Sequence, residues 1–575
     1  MSISTSSTTT DDVETLLNRL KKTFEETYED VSSAKDVKKM IDRLMTHQFP
    51  LSQQWEQKLR DKFSQLDPRS GFRTIRDKLG EINDQIHQLA AESDQKVFQA
   101  LSVENGDITL ESDKDSIVKC LRLNYDFFVR PDRLNHDPRI CLYLAIFPTN
   151  SVLRKRLLIY WWIGEGFVKD EEEGEKVFQE LLDLELLIPD PTHKCPRVSK
   201  CRISSWFRYI LLSDAKKAKL LHFDEKDGKW IPRFNPEYYR NTCLIAGHTN
   251  LASVEEDKRG TLRTIFNVNE RYLDFQPHWF AELKRLVVLQ LGRWQASPTH
   301  HIEVQGKSFL TGLKTQIHLK YLSLRGISRI TSLPDSISEL VSLQILDLKA
   351  CHNLETLPAA IASLRKLTHL DVSECYLLEN LPKGFDKLTS LQVLKGLVTI
   401  GHSHETPISI AHLRSLKNLK RLSIHMRRGA AITQKDGFDK LKDLEKLKCL
   451  KIYWDYDVVQ ENLPENLAFP SGLEKLVLEG IRHEKMPEWL KPRKLSNLET
   501  LCIKGGRLTS SFDEGEPWNK VRYLVLKYTN LPRINQETLK SIFPSLRYVK
   551  KVELKPNREE EVPEHEWNKD ETVTG

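Results

Sequence analysis

Two short stretches of the chain contain glycines in patterns that could bind a phosphate group. Gly306–Lys307–Ser308 matches the end of a phosphate-binding loop, but that loop needs a glycine five residues earlier, where His301 stands. Because a lysine holds a phosphate only together with a cradle of backbone N–H groups, this stretch predicts no nucleotide site. Gly164 and Gly166 begin a dinucleotide-type GxG pattern, but Lys169 occupies the position of its third glycine.

A third stretch could bind a metal ion, because His402 and His404 are followed by Glu405. Two neighbouring histidines alone are a weak signal, since zinc sites take three or four protein ligands. The sequence contains no HExxH, no GxSxG and no zinc-spaced cluster of cysteine and histidine. We therefore expect no enzymatic activity, no cofactor and no bound metal.

The composition is that of an intracellular protein without a dedicated nucleic-acid surface. A net charge of +6 over 575 residues is small, and a mixed, solvated surface explains it. The first residues, MSISTSSTTTDDVETLL, lack the basic and apolar parts of a secretory signal. The longest apolar stretches, Cys141–Phe147 and Leu157–Ile163, are far shorter than the ~20 residues that span a bilayer. We expect a cytoplasmic protein, with the nucleus as an alternative, no nucleic-acid partner and no stable membrane insertion.

The cysteines support the same compartment. All nine are scattered and no two form a CxxC pair, so neither a disulfide framework nor a zinc module is indicated. Cys351 and Cys375 recur 24 residues apart, which is the step of the internal repeat described next.

The second half of the chain repeats an LxxLxL pattern. Leu343, Leu346 and Leu348 carry one copy, and copies at steps of 24 residues lie before and after it. A second motif keeps the same phase, in LPDSISEL, LPAAIASL and LPKGFDKL, which begin at Leu333, Leu357 and Leu381. Two motifs that share one phase predict a leucine-rich-repeat solenoid over residues 241–554.

Each repeat is expected to place a short strand on the inner face of the solenoid. Leucines point into the core and the residues between them point outward, because strand side chains alternate. Cys351 and Cys375 would close the turn after the strand. Exposed aromatic and charged side chains on a rigid face are common binding anchors, although an ordinary solvated face remains an alternative for each. The predicted ligand-binding residues are Arg325, Lys349, Asp371, Arg421, His425, Tyr453, Lys504 and Lys527.

The remaining regions differ in composition. Residues 1–10 are rich in Ser and Thr and are predicted to be disordered. Residues 11–100 form a helical, coiled-coil-like region, in which apolar residues from Phe72 to Leu89 follow a 3.5-residue period. Packing within one bundle and pairing with another chain are both compatible with that period. Residues 101–115 are a polar linker, and residues 555–575 are an acidic tail that we expect to be disordered.

Between the linker and the repeats, the sequence resembles the winged-helix domain of plant coiled-coil NLR disease-resistance proteins. The matching motifs, in order, are Leu123–Asp126, Cys141–Tyr143, Ala145–Pro148 and Trp162–Phe167. The resemblance extends from Ser116 to Leu554 and includes the LPxxIxxL repeats. It implies a winged-helix domain at residues 116–220, and thus a multidomain α and α/β protein.

Two departures from that family affect its nucleotide chemistry. The family has a nucleotide-binding domain before the winged helix, where this sequence has only the 101–115 linker. The family's Met-His-Asp motif should follow Cys201–Arg202, where Ile203–Ser204–Ser205 stand. The resemblance therefore implies a separate nucleotide-binding partner. It also implies that the surface around Tyr160 and Trp161, which would pack on the nucleotide domain, is exposed and available to dock that partner.

These observations predict a non-catalytic, protein-binding component of plant innate immunity. Its repeats would recognise a protein ligand, either a pathogen effector or a host protein. One alternative is a substrate adaptor of a ubiquitin ligase, although no F-box-like motif precedes the repeats. Another is a nucleic-acid-binding regulator that uses Arg154–Arg156, although the residues from Leu157 onward are too apolar for a recognition helix.

Overall fold

The computed structural model describes residues 137–211 and 260–552, each with gaps, and the backbone of four further strands. Those strands are Leu221–Lys226, Lys229–Phe234, Asn241–Leu244 and His565–Glu566. The predictions for residues 1–115, for Ser205 and for the site at His402–Glu405 lie outside the described residues. Gly306 is described and exposed, whereas the neighbouring Lys307 and Ser308 are not described.

The chain divides into two compact units. One comprises Met1–Leu144, Ile203–Asp214 and Glu225–Ile231, and its described part contains helix α1 (Arg139–Leu144). The other comprises Ala145–Arg202, Ala215–Asp224 and Pro232–Gly575. The second unit therefore contains the repeats together with residues 145–202 of the predicted winged helix. The predicted boundary between those two domains stays a prediction.

The first part of the second unit, Ala145–Arg202, is called the docked segment below. Its elements are β1 (Leu153–Arg154), α2 (Lys155–Glu165), α3 (Glu171–Asp183), β2 (Leu187–Pro189) and β3 (Lys200–Ile203). The three strands form a sheet of order β1-β3-β2, and the last residue of β3 belongs to the other unit. Helix α3 begins after Asp170, whose carboxylate accepts the backbone N–H of Glu173 at 2.9 Å. Helix α3 ends at Asp183. The backbone turns through a positive φ of 55° at Glu185, and the chain continues as β2.

The repeats form a fourteen-stranded sheet in which every pairing from β6 to β20 is parallel. Its strands are β6 (Asn241–Leu244), β7 (Thr264–Asn267), β9 (Val288–Gln290), β11 (Tyr321–Ser323), β12 (Ile345–Asp347), β13 (His369–Asp371), β14 (Val393–Thr399), β15 (Arg421–Met426), β16 (Cys449–Trp454), β17 (Lys475–Glu479), β18 (Thr500–Lys504), β19 (Tyr523–Lys527), β20 (Tyr548–Val552) and β21 (His565–Glu566). Strand β21 pairs antiparallel with β20, inside the tail that the sequence predicts to be disordered. An unpaired edge of the last strand is a ready template for such pairing.

Smaller elements complete the described fold. Strand β8 (Tyr272–Leu273) pairs with β10 (Glu303–Val304), and β4 (Leu221–Lys226) pairs with β5 (Lys229–Phe234). Each pair is a two-stranded sheet separate from the fourteen-stranded sheet. The short helices are α4 (Pro277–Glu282), α5 (Phe309–Gly312) and α6 (Gln536–Ile542). The 3-10 turns are Leu313–Thr315, Asp335–Glu339, Ala359–Ser363, Phe385–Lys387, Ile410–Ser415, Phe438–Asp443, Glu488–Leu490 and Pro492–Lys494.

The core lies between the strands and the 3-10 turns, as the two motifs in phase require. Leu346 and Leu348 of one repeat are fully buried, and so is Ile361 of the next 3-10 turn. Tyr321, Ile345, His369 and Val393 are register partners 24 residues apart. Each repeat covers the apolar edge of its neighbour, so the stack is stable only as a whole.

Two cysteines close the turn after their strands, as predicted. The Cys351 thiol donates to the Leu324 carbonyl at 3.1 Å, and the Cys375 thiol donates to the Leu348 carbonyl at 3.2 Å. Each carbonyl belongs to the preceding repeat. Burial raises the pKa of the Cys375 thiol to about 12 and that of Cys351 well above its ordinary value, so both stay protonated.

Strand positions are counted from the residue that is in register with Tyr321 of β11, so Arg325 occupies the fifth position of that repeat. The residue directly after the fifth position has a left-handed backbone conformation in six repeats. Its φ angles are 68° at Gly326, 60° at Ala350, 63° at Glu374, 76° at Gly480, 58° at Gly505 and 54° at Tyr528. Glycine adopts this conformation without cost, whereas a residue with a Cβ is disfavoured there. The three non-glycine residues at this position are therefore sites of backbone strain.

Candidate functional site: the inner face of the repeat sheet

The inner face is formed by the side chains at the first, third and fifth strand positions. Alternation points these side chains away from the leucine core. In strands β15 and β16 the burial pattern alternates residue by residue, which confirms that Arg421, His425, Lys451 and Tyr453 lie on this face. The docked segment contacts this face along β7–β15, called the covered part below, and again at the first positions of β18 and β19. The remaining positions of β15–β19 are called the open part below.

Helix α2 lies against the sheet because its sequence is apolar nearly all round. Leu157, Leu158, Trp161 and Trp162 are all buried, as expected of a helix that is enclosed on every side. Gly164 permits the closest approach. A Cβ at that position would lie 2.7 Å from the Cβ of Tyr321 on β11, so any larger residue would push the helix off the sheet.

An aromatic cluster joins the helix to the first repeats. The Trp161 ring centroid lies 4.5 Å from that of Phe266 on β7, and Phe147 packs edge-on against Phe266 at 5.6 Å and against Trp294 at 5.0 Å. The Trp161 indole N–H donates to Glu165 Oε1 at 3.0 Å, and the hydroxyl of Thr264 donates to the same oxygen at 2.6 Å. The indole is therefore both packed and hydrogen-bonded.

The expectation that Tyr160 and Trp161 are exposed is wrong for this structure. Trp161 is 1 % exposed, and Tyr160 is half-buried against His369, with ring centroids 4.6 Å apart. The physical reason is that the repeats themselves cover the surface that a nucleotide-binding domain was expected to cover. Whether these residues also dock a partner stays a prediction.

Glu171, at the start of α3, is the polar centre of the covered part. Its Oε1 accepts from His369 Nε2 at 2.8 Å and from the guanidinium of Arg421, and its Oε2 accepts from Arg156 at 3.1 Å. The Tyr160 hydroxyl accepts from Arg421 Nη2 at 3.1 Å. One carboxylate thus joins strands β13 and β15 to both helices of the docked segment.

The electrostatics of this cluster favour an ionised Glu171. Burial opposes its charge, but the hydrogen bond with His369 and the charges of Arg421 and Arg156 outweigh burial and hold the pKa of the carboxyl well below its usual range. Burial lowers the pKa of His369, although Glu171 opposes that shift. A neutral His369 with its proton on Nε2 donates to Glu171, and its Nδ1 lies 2.7 Å from the Thr368 hydroxyl.

The docked segment makes a second polar contact far along the sheet. Arg197 forms an ion pair with Glu499, and its guanidinium carbon lies 4.7 Å from the ring centroid of Tyr523 on β19. Arg197 Nη1 also donates to the Thr500 hydroxyl at 3.4 Å. The segment therefore reaches from β7 to β19 along the first strand positions.

The third strand positions of the covered part carry a ladder of charges. Asp347 and Asp371 are register partners, and Lys395 forms an ion pair with Asp371 at 3.0 Å. Burial opposes the charge of Asp371, but Lys395 and Lys349 lower its pKa to about 2. Burial raises the pKa of Asp347, which Arg325 partly opposes. Lys349 is paired with Glu374 at 2.7 Å.

The open part of the inner face lies on β15–β19. His425 Nε2 is 2.7 Å from Asp455 Oδ1, and the His425 and Tyr453 rings lie edge-on with centroids 4.5 Å apart. In the neighbouring strands Lys504 and Lys527 are direct register partners. These side chains keep part of their surface accessible; that of Lys504 is 35 % exposed.

The structure therefore separates the predicted ligand-binding residues into two groups. Arg421 is bound by the chain's own Glu171, and Asp371, Lys349 and Arg325 lie in the ladder beside it. His425, Tyr453, Lys504 and Lys527 lie together on the open part. Binding of a ligand by either group stays a prediction.

Sequence reasoning missed Glu171 as a functional residue. It stands first in a run of three glutamates, which is usually a solvated helix start. Glu172, the next residue, is 76 % exposed and fits that interpretation.

Two findings concern other kinds of site, and both apply only to the part of the chain that the structure describes. No cluster of three or more His, Cys, Asp or Glu residues could hold a metal ion there. No described helix is long and apolar enough to cross a membrane.

Comparison with known proteins identifies the repeats and their relatives. Residues 263–512 match the model of a leucine-rich repeat region, which confirms the predicted repeats. Disease resistance RPP13-like protein 4 of Arabidopsis thaliana is 28 % identical over 458 residues, which cover 76 % of this chain and 50 % of the relative. Probable disease resistance RPP8-like protein 2 of the same plant is 23 % identical over 427 residues, which cover 69 % and 45 %. The chain spans about half the length of the curated relatives that it matches.

Among solved structures, the leucine-rich-repeat ectodomain of the Arabidopsis receptor kinase HAESA, in complex with a peptide hormone, matches with 16 % identity and a TM-score of 0.33. That match covers 60 % of this chain and 52 % of the other. The sequence comparisons therefore show a leucine-rich repeat region and homology to plant disease-resistance proteins.

Proposed function

We propose that this leucine-rich-repeat protein, a homologue of plant disease-resistance proteins, is a non-catalytic component of plant innate immunity that recognises a protein ligand on the inner face of its repeats. The ligand would be a pathogen effector or a host protein. The observation that carries the proposal is that the inner face already binds polypeptide. The docked segment contacts β7–β15 of that face through an aromatic cluster and a buried carboxylate.

The open part of the face offers the same kinds of group to a second polypeptide. Tyr453 and His425 provide adjoining rings, and Lys451 and Lys504 provide charges at neighbouring positions. Aromatic and long cationic side chains are the usual anchors of protein interfaces. A rigid parallel sheet holds them in place without loss of backbone entropy on binding.

The experiment is photo-crosslinking of the tagged full-length protein in plant tissue, with and without pathogen challenge, followed by mass spectrometry. The test variant is Lys451→Ala with Tyr453→Ala on the open part. The matched control is Lys494→Ala with Tyr272→Ala, which lie outside the main sheet. The proposal predicts a cross-linked protein that the test variant loses and the control retains. Equal capture by both variants would contradict recognition on the inner face.

The proposal includes a separate nucleotide-binding partner, because the family's switch depends on nucleotide exchange. Since the repeats cover Trp161, a partner that used the surface around Tyr160 and Trp161 would have to displace the docked segment. Purified protein should show no ATP or ADP binding by calorimetry. Micromolar nucleotide binding by the chain alone would remove the need for a partner and contradict this part of the proposal.

A further inference from the structure

The inner face of β16–β19 carries more positive charge than its own acidic residues neutralise. The first, third and fifth strand positions hold four lysines and one glutamate: Lys451, Lys475, Lys504, Lys527 and Glu479. Glu479 lies 2.8 Å from Lys451 and 3.7 Å from Lys504, so it serves two lysines at once. Lys475 and Lys527 form no ion pair with any residue that the structure describes. The patch has an excess of cationic groups.

Two of these lysines are placed unfavourably for the isolated protein. Lys504 and Lys527 are register partners on adjacent parallel strands, and like charges at such positions destabilise a sheet. A carboxylate placed between the two would convert this repulsion into attraction. The covered part of the same sheet is different, because there Lys349 and Lys395 each have an acidic partner within 3.0 Å.

An apolar floor lies between the two outer rows of this patch. The third strand positions hold Val477, Cys502 and Val525, of which Val477 is 9 % exposed and Cys502 is 7 % exposed. A bound segment would thus meet apolar groups along its centre, Lys475 on one side, and Lys504 and Lys527 on the other. Such a surface suits a segment in which acidic and apolar residues alternate.

Tyr528, next to Lys527, adds an aromatic group at a strained position. The same position in the two preceding repeats is Gly480 and Gly505, with φ of 76° and 58°, whereas Tyr528 has φ of 54°. A bulky residue in this conformation is an outlier, and such strain concentrates at functional sites.

The chain itself shows how this sheet binds an acidic group. On the covered part, the Glu171 carboxylate lies between His369 and Arg421, and the Tyr160 ring packs beside it. We infer that the patch formed by Lys475, Lys504, Lys527 and Tyr528 binds an acidic segment of the protein ligand, with carboxylates between the lysines and apolar side chains on the floor. This inference rests on the proposed function, because it names the chemistry of the ligand at the same face.

The size of the segment follows from the sheet. Four strands at ~4.8 Å spacing span about 14 Å, which an extended peptide at ~3.3 Å per residue crosses with about four or five residues. A nonapeptide is therefore long enough to fill the patch and to extend beyond it at both ends.

The test uses full-length protein and fluorescein-labelled nonapeptides in which Glu alternates with Leu or Tyr, with Gln-for-Glu peptides as the control probe. Fluorescence anisotropy is measured at several salt concentrations. The test variant is Lys475→Glu with Lys527→Glu. The matched control is Lys485→Glu with Lys494→Glu, which makes the same change in net charge at exposed positions outside the strands. A third variant, Tyr528→Gly, removes the ring and relieves the backbone.

The inference predicts binding of the Glu peptides that weakens with salt and falls at least tenfold in the test variant but less than twofold in the control. Tyr528→Gly should weaken binding at least fivefold while its melting temperature stays equal to that of the wild type or rises. Equal binding of Glu and Gln peptides, equal losses in both charge-reversal variants, or no binding of Glu peptides at millimolar concentration would each overturn the inference.

The outcome is separable from that of the proposed function. A ligand that cross-links to Tyr453 but is insensitive to Lys475→Glu with Lys527→Glu would leave the proposed function standing and remove the acidic segment. If cross-linking captures no protein but the Glu peptides bind specifically, the proposed cellular role is contradicted and the acidic-segment site is supported.

Discussion

Replacement of Glu171 by Gln should release the docked segment from the repeats without unfolding the repeats. The substitution keeps the size of the side chain and removes the charge that faces His369 and Arg421. The side chains of Glu171 and Arg421 are only 15 % and 16 % exposed, so little water is available to replace the lost interaction. A charge-assisted hydrogen bond contributes about 1.5–3 kcal/mol, and loss of one partner of a buried ion pair costs about 3–5 kcal/mol.

Because Gln retains one acceptor for His369, we expect a cost of about 2–3 kcal/mol for docking. Since 1.4 kcal/mol corresponds to a factor of ten, amides in α2 and α3 should exchange with deuterium roughly 30 to 150 times faster. Amides in β17–β19 should change little, because the repeat core does not depend on this carboxylate. Native-state hydrogen exchange followed by mass spectrometry measures both regions in one experiment.

Glu172→Gln is the matched control, because it changes the same charge one position later on the same helix. Glu172 is 76 % exposed and lies 3.8 Å from an exposed Lys176, so its replacement should alter exchange less than about twofold. The helix dipole acts on both glutamates and therefore cancels in the comparison. Equal effects of the two variants, or a uniform loss of protection that includes β17–β19, would refute the reasoning.

Three further variants test other parts of the structure. Leu348→Ala should lower the free energy of unfolding by about 2–5 kcal/mol in denaturant titration, because Leu348 is fully buried, and a loss under about 1 kcal/mol would contradict its place in the core. Burial lowers the pKa of His483 to about 4, so the unfolded chain binds more protons and stability falls as the pH drops from about 6.5 to 4. After discounting for partial exposure, His483→Phe should remove about 1–2 kcal/mol of this pH dependence in thermal unfolding between pH 7 and 4, whereas an unchanged slope would count against it. Tyr528→Gly should raise the free energy of unfolding by about 1 kcal/mol, since it relieves a left-handed backbone, and a lower melting temperature would contradict the assigned strain.

The repeats could be predicted from the sequence because two motifs keep one phase. The spacing of Leu346, Leu348 and Cys351 determines which side chains enter the core and which lie on the inner face, and strand alternation does the rest. The place of Cys351 in the turn also followed from the repeat, whereas its hydrogen-bond partner, the Leu324 carbonyl of the preceding repeat, did not. Local rules therefore account for the solenoid and for the identity of the inner-face residues.

The docked segment could not be predicted in the same way, because its hydrogen bonds to the repeats join residues 99 to 303 positions apart. An apolar helix with Trp161 and Trp162 is equally suited to pack in its own domain, against a partner or against the repeats. Periodicity describes which side chains need burial but does not identify what buries them. For that reason the sequence suggested an exposed Trp161, whereas the structure places it against Phe266.

Because the docked segment contacts both early and late repeats, it limits how these repeats can move relative to one another. In a linear array each unit feels only its neighbours, so fluctuations at one end need not be transmitted to the other. Here Glu165 accepts a hydrogen bond from Thr264 on β7, and the Arg197 guanidinium packs on the Tyr523 ring of β19. The docked segment therefore connects two distant strands of the sheet. A motion that separates β7 from β19 must strain or break one of these two contacts. A molecule that displaces either end of the segment would therefore remove the connection between β7 and β19.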